Sequence, residues 1–311
     1  MMNELAPIAL FVYNRLWHTQ KTVDSLVANP LAQKSDLFIF SDGAKDDLQK
    51  KNVKKVREYI KSIKGFKSVT IFEKNKNYGL ANSIIDGVTQ VVNEYGKIIV
   101  LEDDIVVANF FLEYMNGALN LYEKCEEVIS IHGYCYPVKA ELPDLFFLKG
   151  ADCWGWATWQ RGWALFEKDA KKLLKEIINQ NLEKEFDFNS SMGYVNMLKN
   201  QIEGKIDSWA IRWHASAFLL GKLTLYPGVS LVKNIGFDSS GTHLGTTNKF
   251  NVRILEKNIA VRLIATEENL LAKKAFERYF KSIQPNFFQK TYTEFKQLLK
   301  KHKNFNKRII M

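Results

Sequence analysis

The chain has 311 residues, 46% hydrophobic and 25% charged, so it is long enough to bury a large core in one domain or two closely packed ones. No apolar stretch approaches the roughly 18 residues of a membrane-spanning helix, and Met1 to Leu5 lack the basic and apolar regions that begin a signal peptide. The net charge of +10 favours an anionic partner without identifying it.

The first 130 residues alternate short apolar runs with amphipathic segments, which predicts an α/β fold with a mostly parallel sheet. The apolar runs predict strands over residues 7–12, 37–40, 69–72, 97–101 and 128–131. The amphipathic segments predict helices over residues 18–27, 46–63, 80–94 and 109–124. The fourth strand is continuously apolar from Ile98 to Leu101 and is therefore predicted to be covered on both faces.

The second half has a different composition, with six of the seven tryptophans and several glycine-bearing loops. We place a boundary after residue 136 and predict a mixed, substrate-facing part over residues 137–263. Residues 264–311 form a basic, predicted helical extension. The three cysteines, Cys125, Cys135 and Cys153, form no CxxC pair, which argues against zinc and disulfides and favours a reducing cytoplasm.

Polar groups follow four of the predicted strands, at the sheet edge where parallel sheets bind ligands. They are Tyr13-Asn14-Arg15, Ser41-Asp42-Gly43, the segment 75–79 with Asn77 and Gly79, and Glu102-Asp103-Asp104. Four such groups on one edge predict a site for a nucleotide diphosphate.

The acidic triplet Glu102-Asp103-Asp104 is the strongest of these signals. Three adjacent carboxylates after a buried strand repel one another, and partial burial adds to the free-energy cost. A divalent cation that bridges carboxylate and phosphate relieves both costs, and hard oxygen ligands favour Mn²⁺ or Mg²⁺ over zinc. The alternative is that these acids only stabilise the amino-terminal end of a helix.

The run from Val100 to Tyr114, VLEDDIVVANFFLEY, resembles the metal-binding segment of the N-acetylglucosaminyltransferase I family. Ala6 to Arg15, the Ser41-Asp42-Gly43 turn and the segment 77–81 look like the wider family 2 glycosyltransferases. The resemblance covers about residues 6–250 and implies the GT-A fold, a Rossmann-like domain with a mixed, mostly parallel sheet flanked by helices. Residues 1–136 would then bind the nucleotide sugar, and residues 137–263 would be the acceptor and catalytic half of the same domain.

The resemblance also implies roles at matching positions of the first half. Arg15 and Asp42 would hold the nucleotide, with Asp42 accepting a hydrogen bond from a uracil edge. Glu102 and Asp103 would contact the ribose and the donor sugar. Asp104 would ligate the cation, whose other ligands would be pyrophosphate oxygens and water.

Asp152-Cys-Trp-Gly-Trp falls where the family has a Gly-Trp loop beside the donor sugar. Trp154 and Trp156 flank Gly155, and aromatic faces can pack against sugar C–H surfaces while a glycine lets a ligand approach the backbone. The alternative is that these tryptophans pack in the core.

The catalytic base of the family falls near Asp207-Ser208-Trp209. An inverting transfer needs a carboxylate that takes the proton of the acceptor hydroxyl. The family base directly precedes the tryptophan, and this chain has Ser208 there, so Asp207 is the preferred base and Asp238 the reserve. A helix cap or an ion pair is the alternative role for both.

The segment 233–247 carries glycines and hydroxyls suited to a loop that covers the pyrophosphate, and His243 is predicted to donate to a phosphate oxygen. His18, His132 and His214 are predicted to be structural.

In the tail, the hydrophobic residues Phe287, Phe288, Phe295, Leu298 and Leu299 lie among many lysines. This pattern predicts peripheral binding to the anionic inner face of the cytoplasmic membrane, and a helix docked on the core is the alternative.

The predicted function is a metal-dependent, inverting glycosyltransferase, a hexosyl- or N-acetylhexosaminyltransferase of polysaccharide biosynthesis. Its donor would be a nucleotide sugar, with UDP favoured, and its acceptor a hydroxyl of a glycan or a lipid-linked molecule. One alternative is a sugar-nucleotide nucleotidyltransferase, although no glycine-rich phosphate loop follows the first strand. The other is a non-catalytic carbohydrate- or nucleic-acid-binding protein. It leaves the triplet unexplained, and no nucleic-acid-binding motif is present.

Overall fold

The computed structural model describes residues 4–240 and 246–284. Its strands are β1 (Ile8–Val12), β2 (Asp36–Ser41), β3 (Ser68–Glu73), β4 (Lys97–Glu102), β5 (Ile105–Val107), β6 (Val128–His132), β7 (Leu145–Lys149), β8 (Trp156–Trp159), β9 (Leu223–Pro227) and β10 (Val232–Asn234). Its helices are α1 (Leu16–Val27), α2 (Asp47–Ile60), α3 (Leu80–Tyr95), α4 (Phe111–Leu121), α5 (Gln160–Trp163), α6 (Ala170–Asn179), α7 (Glu183–Phe186), α8 (Tyr194–Ile202), α9 (Trp209–Leu219) and α10 (Leu270–Ile283).

Each strand and helix predicted within the first 132 residues corresponds to an observed one whose ends agree to within a few residues, whereas the short strand β5 was not predicted. Local signals define several of these ends. The Asp46 side chain caps α2 by accepting a hydrogen bond from the Gln49 amide at 3.0 Å. Gly96, with φ of 74°, ends α3 in the left-handed conformation that glycine adopts without strain.

The main sheet has eight strands in the order β3-β2-β1-β4-β8-β6-β9-β7. The first four are parallel, β8 is antiparallel to both β4 and β6, and β9 is parallel to β6 with β7 antiparallel at the edge. The predicted fold class, a mixed, mostly parallel sheet flanked by helices, is therefore confirmed. The chain winds outward from β1 to β3 and then returns to place β4 on the other side of β1, and parallel sheets commonly bind ligands where the strand order reverses in this way.

A small second sheet lies beside the end of β4. It pairs β5, which directly follows the acidic triplet, with β10, and Asn234 is opposite Ile105. The Ile235 amide donates to the Asp104 carbonyl at 2.9 Å. The segment that follows β10 is thereby held against the triplet, although more than 120 residues separate the two in the chain.

Four tryptophans pack together on one face of the main sheet. They are Trp156 of β8, Trp163 of α5, and Trp209 and Trp213 of α9, and all four are buried. The ring centroids of Trp156 lie 5.4–5.9 Å from those of the other three. This cluster joins α9 to the centre of the sheet.

The described part of the predicted C-terminal extension packs on the core. Phe276 and Phe280 of α10 are buried, and both rings lie within contact distance of the Tyr136 ring. Residues 285–311, which contain the predicted membrane-binding residues, lie outside the described residues. None of the helices in the described ranges is both long and apolar enough to cross a membrane. The boundaries near residues 136 and 263 stay a prediction.

Replacing Trp213 with alanine is expected to lower the free energy of unfolding by about 3–5 kcal/mol, because the indole is fully buried and its loss leaves a cavity. Chemical denaturation measures this change. Trp17→Ala is the matched control, since that side chain is 54% exposed and its loss should change the free energy of unfolding by less than about 0.5 kcal/mol. Equal losses in the two variants would contradict the assignment of the cluster to the core.

Candidate active site

The carboxyl ends of β1, β2 and β4 lie at the same level of the main sheet. Phe11 of β1 is opposite Glu102 of β4, and Val12 is opposite Ser41 of β2. Because the chain leaves all three strands at this edge, the polar residues that follow each strand meet there.

The Arg15 side chain bridges two carboxylates of the triplet. Its Nη2 atom contacts Asp103 Oδ1 and lies 2.8 Å from Asp104 Oδ2. Arg15 and Asp104 are 16% and 13% exposed, and Asp103 only 6%. The Thr22 hydroxyl of α1 also donates to the Asp103 carbonyl at 2.9 Å, so the first turns of α1 and the triplet form one unit.

Burial raises the pKa of Glu102 to about 8, and the neighbouring Asp104 and Asp103 carboxylates add to the shift. Burial also raises the pKa of Asp103 to about 6, although the Arg15 guanidinium opposes this effect. Burial lowers the pKa of Arg15, but Asp103 and Asp104 outweigh it and raise the pKa above its ordinary value. The triplet therefore carries more negative charge than one guanidinium balances.

One further feature of the triplet suits a divalent cation, and a second shows how closely the chain covers Asp104. Among the described residues, Asp103 Oδ2 is buried without a hydrogen-bond partner, so this carboxylate oxygen is available to a further ligand. Gly236 lies directly over Asp104, where a Cβ atom would come within 2.1 Å of Asp104 Oδ2. Within the described ranges no three His, Cys, Asp or Glu side chains are arranged to hold a metal by themselves. A cation on Asp104 would therefore complete its shell with phosphate oxygens and water, as Mg²⁺ commonly does.

The Asp42 carboxylate organises the loop after β3. It accepts hydrogen bonds from the amides of Gly43, Tyr78 and Gly79 at 2.8–2.9 Å and from Asn77 Nδ2 at 3.0 Å. These donors use both carboxylate oxygens, so Asp42 stabilises the conformation of the Asn77–Gly79 loop. Its predicted contact with a uracil edge would require one of these hydrogen bonds to be exchanged.

Arg57 of α2 holds the segments after β2 and β3 together by hydrogen bonds. Its role was not predicted from the sequence. Its Nη2 atom donates to the carbonyls of Asp42 and Lys74 at 3.2 and 2.7 Å. It is the single arginine of a helix whose other basic residues are lysines, and an arginine fork is suited to several carbonyls at once. The presence of one arginine among these lysines was the sequence feature that could have indicated its role.

The Gly-Trp loop lies over the end of β4. Gly155 has φ of 63°, and a Cβ atom there would lie 2.8 Å from Val232 Cγ1 and 3.4 Å from Ile105 Cγ2. Trp154 is half-buried, and its ring packs against Tyr134, Phe237 and Phe250 at centroid distances of 4.8–5.6 Å. Trp156 is fully buried in the tryptophan cluster, so Trp154 alone of the two predicted tryptophans retains a surface for a ligand.

Asp207 lies just before α9 and is 55% exposed on its side chain. Its Oδ1 atom is 3.1 Å from Arg212 Nη2. Ser208, which holds the place of the family base, caps α9 by accepting from the Ile211 amide. The next residue, Trp209, packs on Trp156, so the start of α9 is tied to the strand that follows the Gly-Trp loop.

Asp238 forms an ion pair or hydrogen bond with His18, a residue predicted from the sequence to have a structural role. Asp238 Oδ2 lies 3.1 Å from His18 Nε2, and Asp238 Oδ1 accepts from the Ser240 amide at 2.9 Å. The Ser240 hydroxyl also donates to Asp238 Oδ1, and this side-chain hydrogen bond is the main cause of the lowered pKa of Asp238. His18 is buried on α1, three residues after Arg15, so this contact brings the segment after Gly236 to the first turn of α1. His243 lies outside the described residues.

Asp152, the first residue of the Gly-Trp loop motif, belongs to a buried polar network that the sequence did not reveal. The Tyr136 hydroxyl donates to Asp152 Oδ2 at 3.2 Å, and His132 Nε2 lies 3.6 Å from the same oxygen. His132 is fully buried, and neither ring nitrogen has a hydrogen-bond partner within residues 4–240 and 246–284. Burial lowers the pKa of His132 to about 4, although Asp152 opposes the shift, so the imidazole is neutral at neutral pH.

The first 142 residues match the GNT-I family, and the predicted resemblance is confirmed over this part of the chain, which is somewhat less than half of it. No curated protein matches the chain. The family match and the α/β sheet support a glycosyltransferase.

Two similar solved structures have low identities and TM-scores. The mannosyltransferase PcManGT from Pyrobaculum calidifontis, in complex with GDP-Man and Mn²⁺, is 13% identical over 43% of this chain and 37% of that chain, with a TM-score of 0.31. S. aureus TarS is 12% identical over 47% of this chain and 25% of that chain, with a TM-score of 0.32. The chain thus spans well under two thirds of either protein, and neither similarity bears on its reaction.

His132 is expected to reduce stability at acidic pH. The unfolded chain binds a proton at this imidazole below the ordinary pKa of 6.5, whereas the folded chain does so only below about 4. Stability is therefore present above 6.5 and is lost as the pH falls through this window, by about 2 kcal/mol between pH 7 and pH 5. Denaturation of the wild type and of His132→Phe at both pH values isolates this contribution. An equal pH dependence in the two proteins would contradict it.

Proposed function

We propose that the protein is a metal-dependent, inverting glycosyltransferase that moves a hexosyl or N-acetylhexosaminyl group from a nucleotide sugar to a hydroxyl group. The observation that carries this proposal is the meeting of Arg15, Asp103 and Asp104 at the ends of β1 and β4. All three lie in the part of the chain that matches the GNT-I family. A cation and a diphosphate would complete the charge balance that these residues leave open.

The diphosphate of the donor would lie against Arg15 and the start of α1. Arg15 is the residue that precedes the first turn of this helix, and the turn contains no acidic side chain. Amides at a helix start and a guanidinium together favour a phosphate group. The base, with uracil favoured, would lie beside the Asn77–Gly79 loop that Asp42 holds in shape.

Asp104 would hold Mn²⁺ or Mg²⁺. When bound, such a cation offsets the negative charge that develops on the departing nucleoside diphosphate. Glu102 and Asp103 would orient the ribose and the donor sugar. Trp154 would offer its free ring surface to the sugar, and Gly155 would allow the sugar to approach the backbone.

Asp207 would act as the base. The acceptor hydroxyl oxygen forms a bond to the anomeric carbon while the bond from that carbon to the phosphate oxygen breaks, and the proton of the hydroxyl passes to the Asp207 carboxylate. The exposure of Asp207 supports this role, because an acceptor can reach it from solvent. Asp238, also exposed, is the reserve candidate.

The acceptor would be a glycan or a lipid-linked molecule at the cytoplasmic face of a membrane, in the synthesis of a polysaccharide. The hydrophobic and basic residues of the tail support this part of the proposal. Equal binding to acidic liposomes by the full chain and by a chain that ends at residue 284 would contradict it.

Asp104→Ala is expected to weaken binding of UDP in the presence of Mn²⁺ by more than about tenfold, because the variant lacks the cation ligand. Calorimetric titration with and without Mn²⁺ measures this loss. Glu203→Ala is the control, since Glu203 is an exposed carboxylate that forms an ion pair with the exposed Lys205. If neither UDP nor GDP shows metal-dependent binding to the wild type, the protein is not this class of transferase, and a nucleotidyltransferase or a binding protein becomes the better assignment.

Asp207→Ala is expected to lower the rate of sugar transfer by about 10²–10⁴-fold with unchanged donor affinity, since a positioned base contributes that much. Transfer is measured on an acceptor found by screening nucleotide sugars with the wild type. Asp238→Ala is expected to have a smaller effect. Full activity in Asp207→Ala would contradict its role as the base.

A further inference from the structure

Arg15 contacts one of the two carboxylate oxygens of Asp104 that could bind a cation. Its Nη2 atom lies 2.8 Å from Asp104 Oδ2 and also contacts Asp103 Oδ1. Gly236 covers this pair, because a Cβ atom there would meet Asp104 Oδ2 at 2.1 Å and Arg15 Nη1 at 3.0 Å. A divalent cation on the same oxygen would therefore lie within a few ångströms of a buried guanidinium, and the two positive charges would repel each other strongly.

Arg15 has a second anion partner available in the proposed complex. It directly precedes α1, a 12-residue helix whose first turn carries no acidic side chain. A diphosphate at this helix start would accept from the helix amides and from the guanidinium. Arginine forms paired hydrogen bonds with phosphate as readily as with carboxylate, so the guanidinium can exchange one partner for the other.

We propose that Arg15 makes the cation and the nucleoside diphosphate bind together, because it holds Asp104 until a diphosphate draws the guanidinium away. This inference rests on the proposed function and specifies the order of binding at the same site. A cation alone has to displace Arg15 from Asp104. With a diphosphate present, Arg15 binds phosphate oxygens and leaves Asp104 to the cation. Asp103 Oδ2, which is buried and has no hydrogen-bond partner in the described part of the chain, is a further oxygen that the cation or the nucleotide sugar can bind at this place.

The affinity of an Arg15 variant for Mn²⁺ alone shows whether Arg15 competes with the cation or only contacts phosphate. If Arg15 competes with the cation, Arg15→Gln binds Mn²⁺ alone more tightly than the wild type does, by about tenfold or more. The same variant binds UDP more weakly, and the factor by which UDP and Mn²⁺ strengthen each other becomes smaller. This factor is the same in both directions, so each titration checks the other. If Arg15 only contacts phosphate, the affinity for UDP falls and the affinity for Mn²⁺ alone does not change.

The experiment is a set of calorimetric titrations of the full chain with Mn²⁺ alone, UDP alone and each in the presence of the other. Arg278→Gln is the matched control, because Arg278 is exposed on α10 and the same charge is lost there. It should leave all affinities unchanged. Arg15→Lys is the second variant in case Arg15→Gln does not fold. Lysine keeps the positive charge but lacks the paired N–H donors of the guanidinium. The affinity of Arg15→Lys for Mn²⁺ alone should therefore lie between those of the wild type and Arg15→Gln.

An affinity for Mn²⁺ alone that is unchanged or weaker in a folded Arg15 variant would overturn the inference while leaving the proposed function in place. Absence of metal-dependent binding of UDP and GDP to the wild type would instead contradict the proposed function itself. Tighter binding of Mn²⁺ together with a reduced coupling factor is the result that supports the inference.

Discussion

The attraction between the Arg15 guanidinium and the carboxylates of Asp103 and Asp104 is the interaction on which the site depends. The apolar strand β4 ends in three adjacent carboxylates at a largely buried edge of the sheet. In the described residues, the ion pairs of this triplet are both made by Arg15. Because burial makes each unbalanced charge costly, a positive charge beside the triplet lowers the free-energy cost of placing these carboxylates there.

The elements around the triplet are arranged in accordance with this constraint. Helix α1 starts directly after Arg15, so its positive end faces the same edge. The pairing of β5 with β10 brings Gly236 over Asp104, and the His18–Asp238 pair ties the next residues to α1. Three segments that are distant in the chain thus enclose one cluster of charge, which explains why a glycine rather than a larger residue stands at position 236.

The sequence predicted the first-half elements well because their signals are local. A run such as Ile98 to Leu101 specifies a strand covered on both faces wherever it lies. The roles of individual side chains depended on distant contacts. Trp154 and Trp156 are two residues apart, yet one borders the site and the other lies in the core, because the short strand β8 enters between β4 and β6. Asp42 acts on a loop some 35 residues further along the chain, and no local pattern gives that pairing.

The position of β8 also limits how the enzyme can be altered by exchange of parts. Its residues pair with β4 from Lys97 to Val100, so a strand from the second half of the chain borders the strand that carries the triplet. In a chimaera that takes residues 1–136 from one relative and the remainder from another, β4 and β8 would come from different proteins and would have to pair in the middle of the sheet. An exchange confined to the residues that follow β10 leaves the pairing of β4 with β8 intact, whereas joining two halves places residues of different proteins on either side of that pairing.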